Sequence, residues 1–123
     1  MGKFVVKESG KGFSFSLKAG NGETIATSQV YSSLDGAKKG TESVARAAAA
    51  ADIEDQTVAN VEAKKNPKFE VYTDKSGEFR FRLKASNGEI VAQGEGYKAK
   101  ASCLNGIESV KKNSADAEVV LPE

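Results

Sequence analysis

The sequence predicts an α+β fold built from two copies of one strand–strand–strand–helix–strand unit. The first observation is a stretch of alternating apolar and polar residues that meets an Asn–Gly turn and continues as another strand, residues 79–92. The second is an earlier copy of that stretch at residues 13–26. The third is a helical pattern after each copy, with apolar or small residues at spacings of three and four. A repeat this dense indicates that one structural unit occurs twice.

A shift of 66 residues superposes the two copies. We expect repeat 1 over about residues 1–63, a linker at 64–67 and repeat 2 over about 68–123. Because a unit of this size buries only a modest share of its surface, both should share one core in one pseudo-symmetric domain. The identical pairs are Phe13/Phe79, Phe15/Phe81, Leu17/Leu83, Lys18/Lys84, Ala19/Ala85, Asn21/Asn87, Gly22/Gly88, Glu23/Glu89, Ala26/Ala92, Tyr31/Tyr97, Gly40/Gly106, Glu42/Glu108, Ser43/Ser109 and Val44/Val110.

Each repeat begins with a further strand, since Phe4 and Val6 match Phe69 and Val71. The helix of repeat 1 should begin near Ser33, with Ser32 or Ser33 as its cap, and run into the alanine-rich segment at 47–51. A short β-prone segment follows each helix, at residues 57–62 and 117–121.

The dipeptides Asn21–Gly22 and Asn87–Gly88 predict two-residue hairpin turns, because a type I′ turn needs positive φ at both positions. The turn fixes the register of the strands that follow it. In repeat 2 the expected cross-strand pairs are Ser86 with Glu89, Ala85 with Ile90, Lys84 with Val91, Leu83 with Ala92, Arg82 with Gln93 and Arg80 with Glu95. In repeat 1 they are Lys18 with Ile25, Ser16 with Thr27 and Ser14 with Gln29.

Both helices carry a glycine at the same place, Gly40 and Gly106. A glycine inside a helix costs about 1 kcal/mol relative to alanine. Its presence twice predicts that each helix backbone lies close to the sheet. In the expected fold both helices pack on one face of that sheet.

The composition is that of a globular protein without a strong charge bias. Lys and Arg number 18 against 17 Asp and Glu, so the net charge is +1 and offers no bulk attraction to nucleic acid or anionic membrane. The single cysteine excludes an intrachain disulfide and fits a reducing compartment. With no signal segment and no apolar run of membrane-spanning length, we expect a cytoplasmic protein.

The chain resembles the YegP-like family of small bacterial proteins. The resemblance is carried by residues 79–92, by Gly94–Glu95–Gly96–Tyr97–Lys98 and by residues 105–113, and it covers nearly the whole chain. It implies β3–α–β units that form one antiparallel-rich sheet with exchanged C-terminal strands. Residues 57–62 would then lie beside repeat 2, and residues 117–121 beside repeat 1. The resemblance implies no catalytic residues and no established activity. Ala99 departs from the family pattern, in which a serine cap is expected.

The sequence gives little support for catalysis. The absence of histidine removes the most common general base and the usual zinc sites. Cys103 lies on the apolar helix stripe and is expected to be an inert core thiol. Ser109 and Lys112 match a Ser-x-x-Lys pattern, but late in a helix, where a nucleophile is not expected. We therefore expect no enzyme, no cofactor and no metal site.

The remaining candidate for function is the sheet face away from the helices. Alternation places a row of cations there together with two apolar residues that face outward, which suggests a non-enzymatic interaction module. An unknown protein partner, or a second copy of a chain that is otherwise expected to be monomeric, would cover this face. Nucleic-acid or other anion binding by the basic row is the alternative, and an enzyme of unknown type is a third hypothesis. The candidate surface is Arg80, Arg82, Lys84, Val91, Lys18 and Ile25.

Overall fold

The computed structural model describes residues 2–115 and 117–122. They form one mixed eight-stranded sheet in the order β4-β5-β6-β7-β3-β2-β1-β8, with two helices, which confirms the α+β prediction. The strands are β1 Lys3–Ser9, β2 Gly12–Lys18, β3 Thr24–Thr27, β4 Asp52–Asp55, β5 Lys68–Thr73, β6 Phe79–Lys84, β7 Ile90–Gln93 and β8 Glu118–Val120, and the helices are α1 Leu34–Ala50 and α2 Lys100–Ser114.

The two edge strands are exchanged between the repeats. β4, from repeat 1, pairs in parallel with β5 of repeat 2, and β8 pairs in parallel with β1 of repeat 1. The expected exchange is therefore confirmed, but the placement of its first strand at residues 57–62 is wrong. The strand follows α1 directly, because Ile53 lies beside Phe69 and the Gln56 N–H extends the ladder to the Val71 carbonyl oxygen at 2.7 Å. β4 was not predicted from β-propensity because three of its residues are acidic.

The hairpin turns have three-residue loops, so the predicted two-residue turn is wrong. In repeat 2 the Ala85 N–H donates to the Glu89 carbonyl oxygen, and the Gly88 N–H donates to that of Ala85, both at 2.9 Å. Gly88 has φ +86° and Gly22 has φ +88°, and within the described ranges positive φ occurs only at glycines. The asparagines therefore lack the geometry of a type I′ turn.

A bulge then restores the register. Lys84 pairs with Ile90 and not with Val91, whereas Leu83 pairs with Ala92 as predicted. Val91 is the extra residue, and Ile25 holds the same place in repeat 1, where Lys18 pairs with Thr24. Because a bulge interrupts the alternation of faces, two consecutive residues of each strand are buried. The strand pairs of Arg82 with Gln93 and of Ser16 with Thr27 agree with the prediction.

Both helices pack on one face of the sheet over a core of phenylalanine, valine and leucine side chains. The Ser33 hydroxyl caps α1 by accepting the Gly36 N–H at 3.0 Å, while Ala99 at the start of α2 makes no side-chain cap. A Cβ atom added to Gly40 would lie 2.5 Å from the Tyr31 hydroxyl, and one added to Gly106 would lie 2.7 Å from the Tyr97 hydroxyl. Both helix backbones thus lie close to the side chains on the sheet, as the repeated glycine predicts.

Neither of the helices in the described part of the chain has the length and apolar character needed to cross a bilayer.

Candidate functional site

The sheet face away from the helices, called here the outer face, has two unlike halves. On the repeat 2 half, β4, β5 and β6 present a dense set of charges. The strand register puts Glu54 beside Glu70 and Glu70 beside Arg82 in one row across these three strands. We call this half the closed face, and the corresponding part of β8, β1 and β2 the open face.

Glu70 is the centre of the closed face. Its side chain is buried, with 3% of the residue exposed, and it accepts the Arg82 Nε–H at 2.6 Å. Lys84 and Lys68 lie 3.3 and 3.4 Å from its other carboxylate oxygen. Burial alone would raise the pKa of Glu70, but the Arg82 hydrogen bond and the charges of Arg82 and Lys84 outweigh it, and the pKa is lowered. Arg82 also stacks on Tyr72, with its Cζ atom 4.6 Å from the ring centroid.

Glu54 anchors the segment that joins the repeats. It is 4% exposed, and its carboxylate accepts hydrogen bonds from the Lys68 ammonium, the Lys64 N–H and the Gln56 side-chain amide at 2.7–2.8 Å. The segment 56–67 thereby returns past Glu54 and helps to exclude water from it. The hydrogen bond from Lys68 and those from Gln56 and Lys64 lower the pKa of Glu54 to about 2.

Replacing Glu54 with glutamine should destabilise the protein in a pH-dependent way. Since folding lowers the pKa from 4.5 to about 2, the charged form stabilises the native state above pH 4.5, and this contribution is lost as the pH falls towards 2. We expect the variant to be about 1–3 kcal/mol less stable at pH 7. Urea unfolding of both proteins between pH 7 and 2 should show this difference closing. A difference that is constant with pH would contradict the prediction.

Arg80 lies at the far end of the basic row and is held by the turn between β5 and β6. Its Nε–H donates to Asp74 Oδ2 at 2.6 Å, and that turn residue also accepts the Ser76 and Glu78 N–H groups. The hydrogen bond from Arg80 is the main cause of the lowered pKa of Asp74. Within the described residues Arg80 thus pairs with Asp74 and forms no ion pair with Glu95, the partner expected across β6 and β7. On the β7 side its guanidinium donates to the Gly94 carbonyl oxygen at 3.5 Å.

The open face has the same backbone but other side chains. Val5 occupies the position of Glu70, Val120 that of Glu54, and Ser16 that of Arg82. Lys3 and Lys18 are direct neighbours across β1 and β2, as Lys68 and Lys84 are across β5 and β6. On the closed face the buried carboxylate of Glu70 lies beside this lysine pair and neutralises it. On the open face the equivalent position beside the lysine pair is Val5, which carries no charge.

The predicted surface residues are thus divided among three environments. Arg80, Arg82 and Lys84 lie on the closed face in ion pairs, and Lys18 lies on the open face. Ile25 and Val91 are only 8% and 5% exposed and belong to the core, so their predicted outward placement is wrong. Sequence reasoning missed Glu54 and Glu70. Glu70 lies between the core residues Phe69 and Val71, but sequence alone does not reveal which cations lie beside either glutamate.

Cys103 is fully buried, and burial raises the pKa of its thiol to about 11. This agrees with the expected inert core thiol, because the thiolate is the reactive form. Ser109 accepts a hydrogen bond from the Asn113 side chain at 3.1 Å on the helix surface. Among the described residues, no group of three or more acidic or cysteine side chains could hold a metal ion.

Comparisons with known proteins give a consistent result. A family model described as "Domain of unknown function (DUF1508)" matches twice, at residues 8–55 and 74–120. The UPF0339 protein YegP of Escherichia coli K12 is 36% identical over 113 residues, which covers 92% of this chain and 89% of that protein. A UPF0339 protein of Treponema denticola is 68% identical over 53 residues, which covers 43% of this chain and 91% of the relative.

The solution NMR structure of E. coli yegP, described as a protein of unknown function, has a TM-score of 0.78 at 35% identity and covers 98% of this chain and 91% of that one. The UPF0339 protein PA0329 of Pseudomonas aeruginosa is 35% identical over 116 residues, which covers 94% of this chain and 92% of that protein. The chain therefore belongs to the DUF1508 (UPF0339) family of YegP-like proteins, for which no enzymatic or binding function is established.

Proposed function

We propose that the protein is a non-enzymatic interaction module that binds an acidic, extended segment of a protein partner on its open face. The observation that carries the proposal is the directly paired Lys3 and Lys18, beside which Val5 occupies the place that a carboxylate holds on the closed face. Like charges directly opposite each other across two strands are destabilising. An acidic partner would remove that repulsion.

The open face also offers apolar contact. Val5 and Val120 are neighbours on β1 and β8 and are partly exposed, and the serines at positions 14 and 16 flank them. Lys7, opposite Ser14, adds a third cation. Among the residues that the structure describes, Lys3, Lys7 and Lys18 form no ion pair, although Glu118 is the strand neighbour of Lys3. A segment that alternates acidic and apolar residues fits this pattern.

The other hypotheses have less support. Nucleic-acid binding by Arg80, Arg82 and Lys84 would have to compete with Asp74 and with Glu70, which already neutralise the row. An enzyme would need a reactive group, and the buried thiol and the absence of histidine argue against one. We further propose that the protein acts as a monomer in the cytoplasm, where the lone thiol stays reduced.

Fluorescence anisotropy with a labelled peptide of alternating Glu and Val tests the proposal. We expect saturable binding that weakens as salt is added, and a loss of at least about tenfold in affinity for Lys7→Glu/Lys18→Glu. Lys38→Glu, on the helix side, makes half of this change in charge and serves as the control, which should change affinity little. A single-stranded DNA oligonucleotide and a Lys–Val peptide serve as competing probes.

Failure of the acidic peptide to bind at low salt would reject the open face as its site. Tighter binding of the oligonucleotide than of the acidic peptide at equal ionic strength would instead favour the nucleic-acid alternative. Equal loss of binding in the Lys38→Glu control would show that only the overall charge matters.

A further inference from the structure

Two surface clefts lie beside the helices, each between the helix of one repeat and the hairpin turn of the other. The first cleft has a volume of about 330 Å³ and lies between the C-terminal half of α1 and the β6–β7 turn. The second, of about 470 Å³, lies between α2 and the β2–β3 turn. Both volumes are in the range of small-ligand sites. Because each cleft takes one wall from each repeat, neither exists in an isolated repeat.

Some of the surface residues that the repeats share border both clefts. Most of the buried identical pairs are explained by the core, but Ser43/Ser109 and Asn21/Asn87 are not buried, and they line equivalent places in the two clefts. On the outer face, in contrast, Ser14 and Ser16 of repeat 1 correspond to Arg80 and Arg82 of repeat 2. The two clefts therefore share a serine and an asparagine at equivalent places.

The first cleft collects three hydrogen-bond donors. Arg46 is exposed and forms no ion pair among the described residues, and Ser43 lies one turn before it on α1. Asn87 reaches the cleft from the opposite turn. Its Oδ1 atom accepts the Glu89 N–H at 3.0 Å, which leaves its amide NH₂ group free to donate. A guanidinium, a hydroxyl and an amide NH₂ group together suit an oxyanion.

The rest of the first cleft is apolar. Ala47, Ala50, Pro67 and Ala85 line it on both sides. The carbonyl end of α1 is also here, and the partial negative charge at a helix C-terminus disfavours an anion. An anionic group is therefore best placed at the Arg46 end of the cleft, with an apolar body lying against the alanines and the proline.

From these features we infer that the first cleft binds a small carboxylate with a short apolar chain. The carboxylate pairs with Arg46 and accepts hydrogen bonds from Ser43 and Asn87, while the chain covers Ala47 and Pro67. The site is separate from the open face, which lies on the other side of the sheet.

The second cleft provides an internal comparison. Lys112 replaces Arg46, and Asn113 replaces Ala47 and donates to the Ser109 hydroxyl at 3.1 Å. Glu108 lines this cleft and adds a negative charge. The second cleft should therefore bind the same carboxylate more weakly than the first.

An NMR titration of the full-length, ¹⁵N-labelled chain tests the inference, with butyrate as the probe and butylammonium as the cationic control at constant ionic strength. We expect butyrate to shift the amide signals of residues 43–47 and 85–88 along saturable curves, with weaker effects at residues 108–113. Arg46→Gln should lower the affinity of the first cleft at least about tenfold. Lys39→Gln, an exposed change on the same helix, should leave it unaltered.

Two results would overturn the inference. One is a response to butyrate that does not saturate or that survives in Arg46→Gln, which would indicate an adventitious additive only. The other is equal binding of inorganic phosphate and butyrate, because it would remove the role of the apolar wall. Tighter butyrate binding to the second cleft in Glu108→Gln would support it, since that variant removes the opposing charge.

Discussion

Replacing Glu70 with valine should destabilise the protein by roughly 2–4 kcal/mol, because removal of one member of a buried ion pair leaves the others without compensation. The variant leaves Arg82, Lys84 and Lys68 without their shared counter-ion, around an apolar side chain. The open face has the same arrangement but with fewer cations. The partial exposure of the three cations, whose side chains are 14–30% exposed, should keep the loss below that of a fully buried pair. Urea unfolding at pH 7 measures it.

A second substitution shows whether the charges are the cause. Glu70→Val/Arg82→Ser copies the Val5–Ser16 pair of repeat 1 and removes one of the cations that Glu70→Val leaves unpaired. Its loss of unfolding free energy should therefore be smaller than the sum of the losses in the two single variants. Glu89→Val, an exposed change, should cost within about 0.5 kcal/mol and serves as the control. Simple additivity of the two substitutions would mean that Glu70 and Arg82 do not act as a pair.

Replacing Phe81 with alanine should cost about 3–5 kcal/mol, the usual loss for a fully buried phenylalanine. The ring is 0% exposed and packs against Phe69 edge to face, with the centroids 6.1 Å apart. It also fills the space beside two glycines: a Cβ atom on Gly94 would lie 2.3 Å from the ring, and one on Gly106 would lie 3.1 Å from it. Neighbours fixed this closely cannot easily collapse into the cavity.

Chemical denaturation followed by two probes should show one shared transition at lower urea, because the core extends through both repeats. Phe15→Ala, the equivalent change in repeat 1, should have a similar cost. The half-buried Phe79→Ala should lose less stability than Phe81→Ala. Two separate transitions, or a loss below about 1 kcal/mol for Phe81→Ala, would show that the repeats do not share one cooperative core.

Much of the fold could be predicted because it depends on sequence patterns that occur in both repeats. The alternation that buries Phe81 and Leu83, and the helical stripe that contains Gly106, each recur in repeat 1, so local preference and burial agree. β4 escaped prediction because its acidic residues disfavour a strand in isolation. Glu54 is accommodated there only by Lys68 and by the returning segment, which are brought to it by tertiary structure.

The site was harder to predict for a related reason. The three-residue loop shifts the strand register by one residue, and the bulge at Val91 shifts it back. The predicted pair Leu83–Ala92 is therefore right, while the predicted placement of Val91 is wrong. Sequence alternation also identifies the basic row but not its partners. Arg80 pairs with Asp74 in the turn before β6, and Arg82 pairs with Glu70 on the neighbouring strand, so both arginines are neutralised within the fold.

The exchange of edge strands has a consequence for how the two repeats can evolve. At the centre of the sheet β3 of repeat 1 pairs with β7 of repeat 2, with Thr27 opposite Gln93 in the part of the chain that the structure describes. Each edge strand pairs with a strand of the other repeat. Deleting either repeat would therefore remove half of the sheet and also strip an edge from the half that remains. This mutual dependence favours retention of both repeats, although the side chains of their outer faces differ.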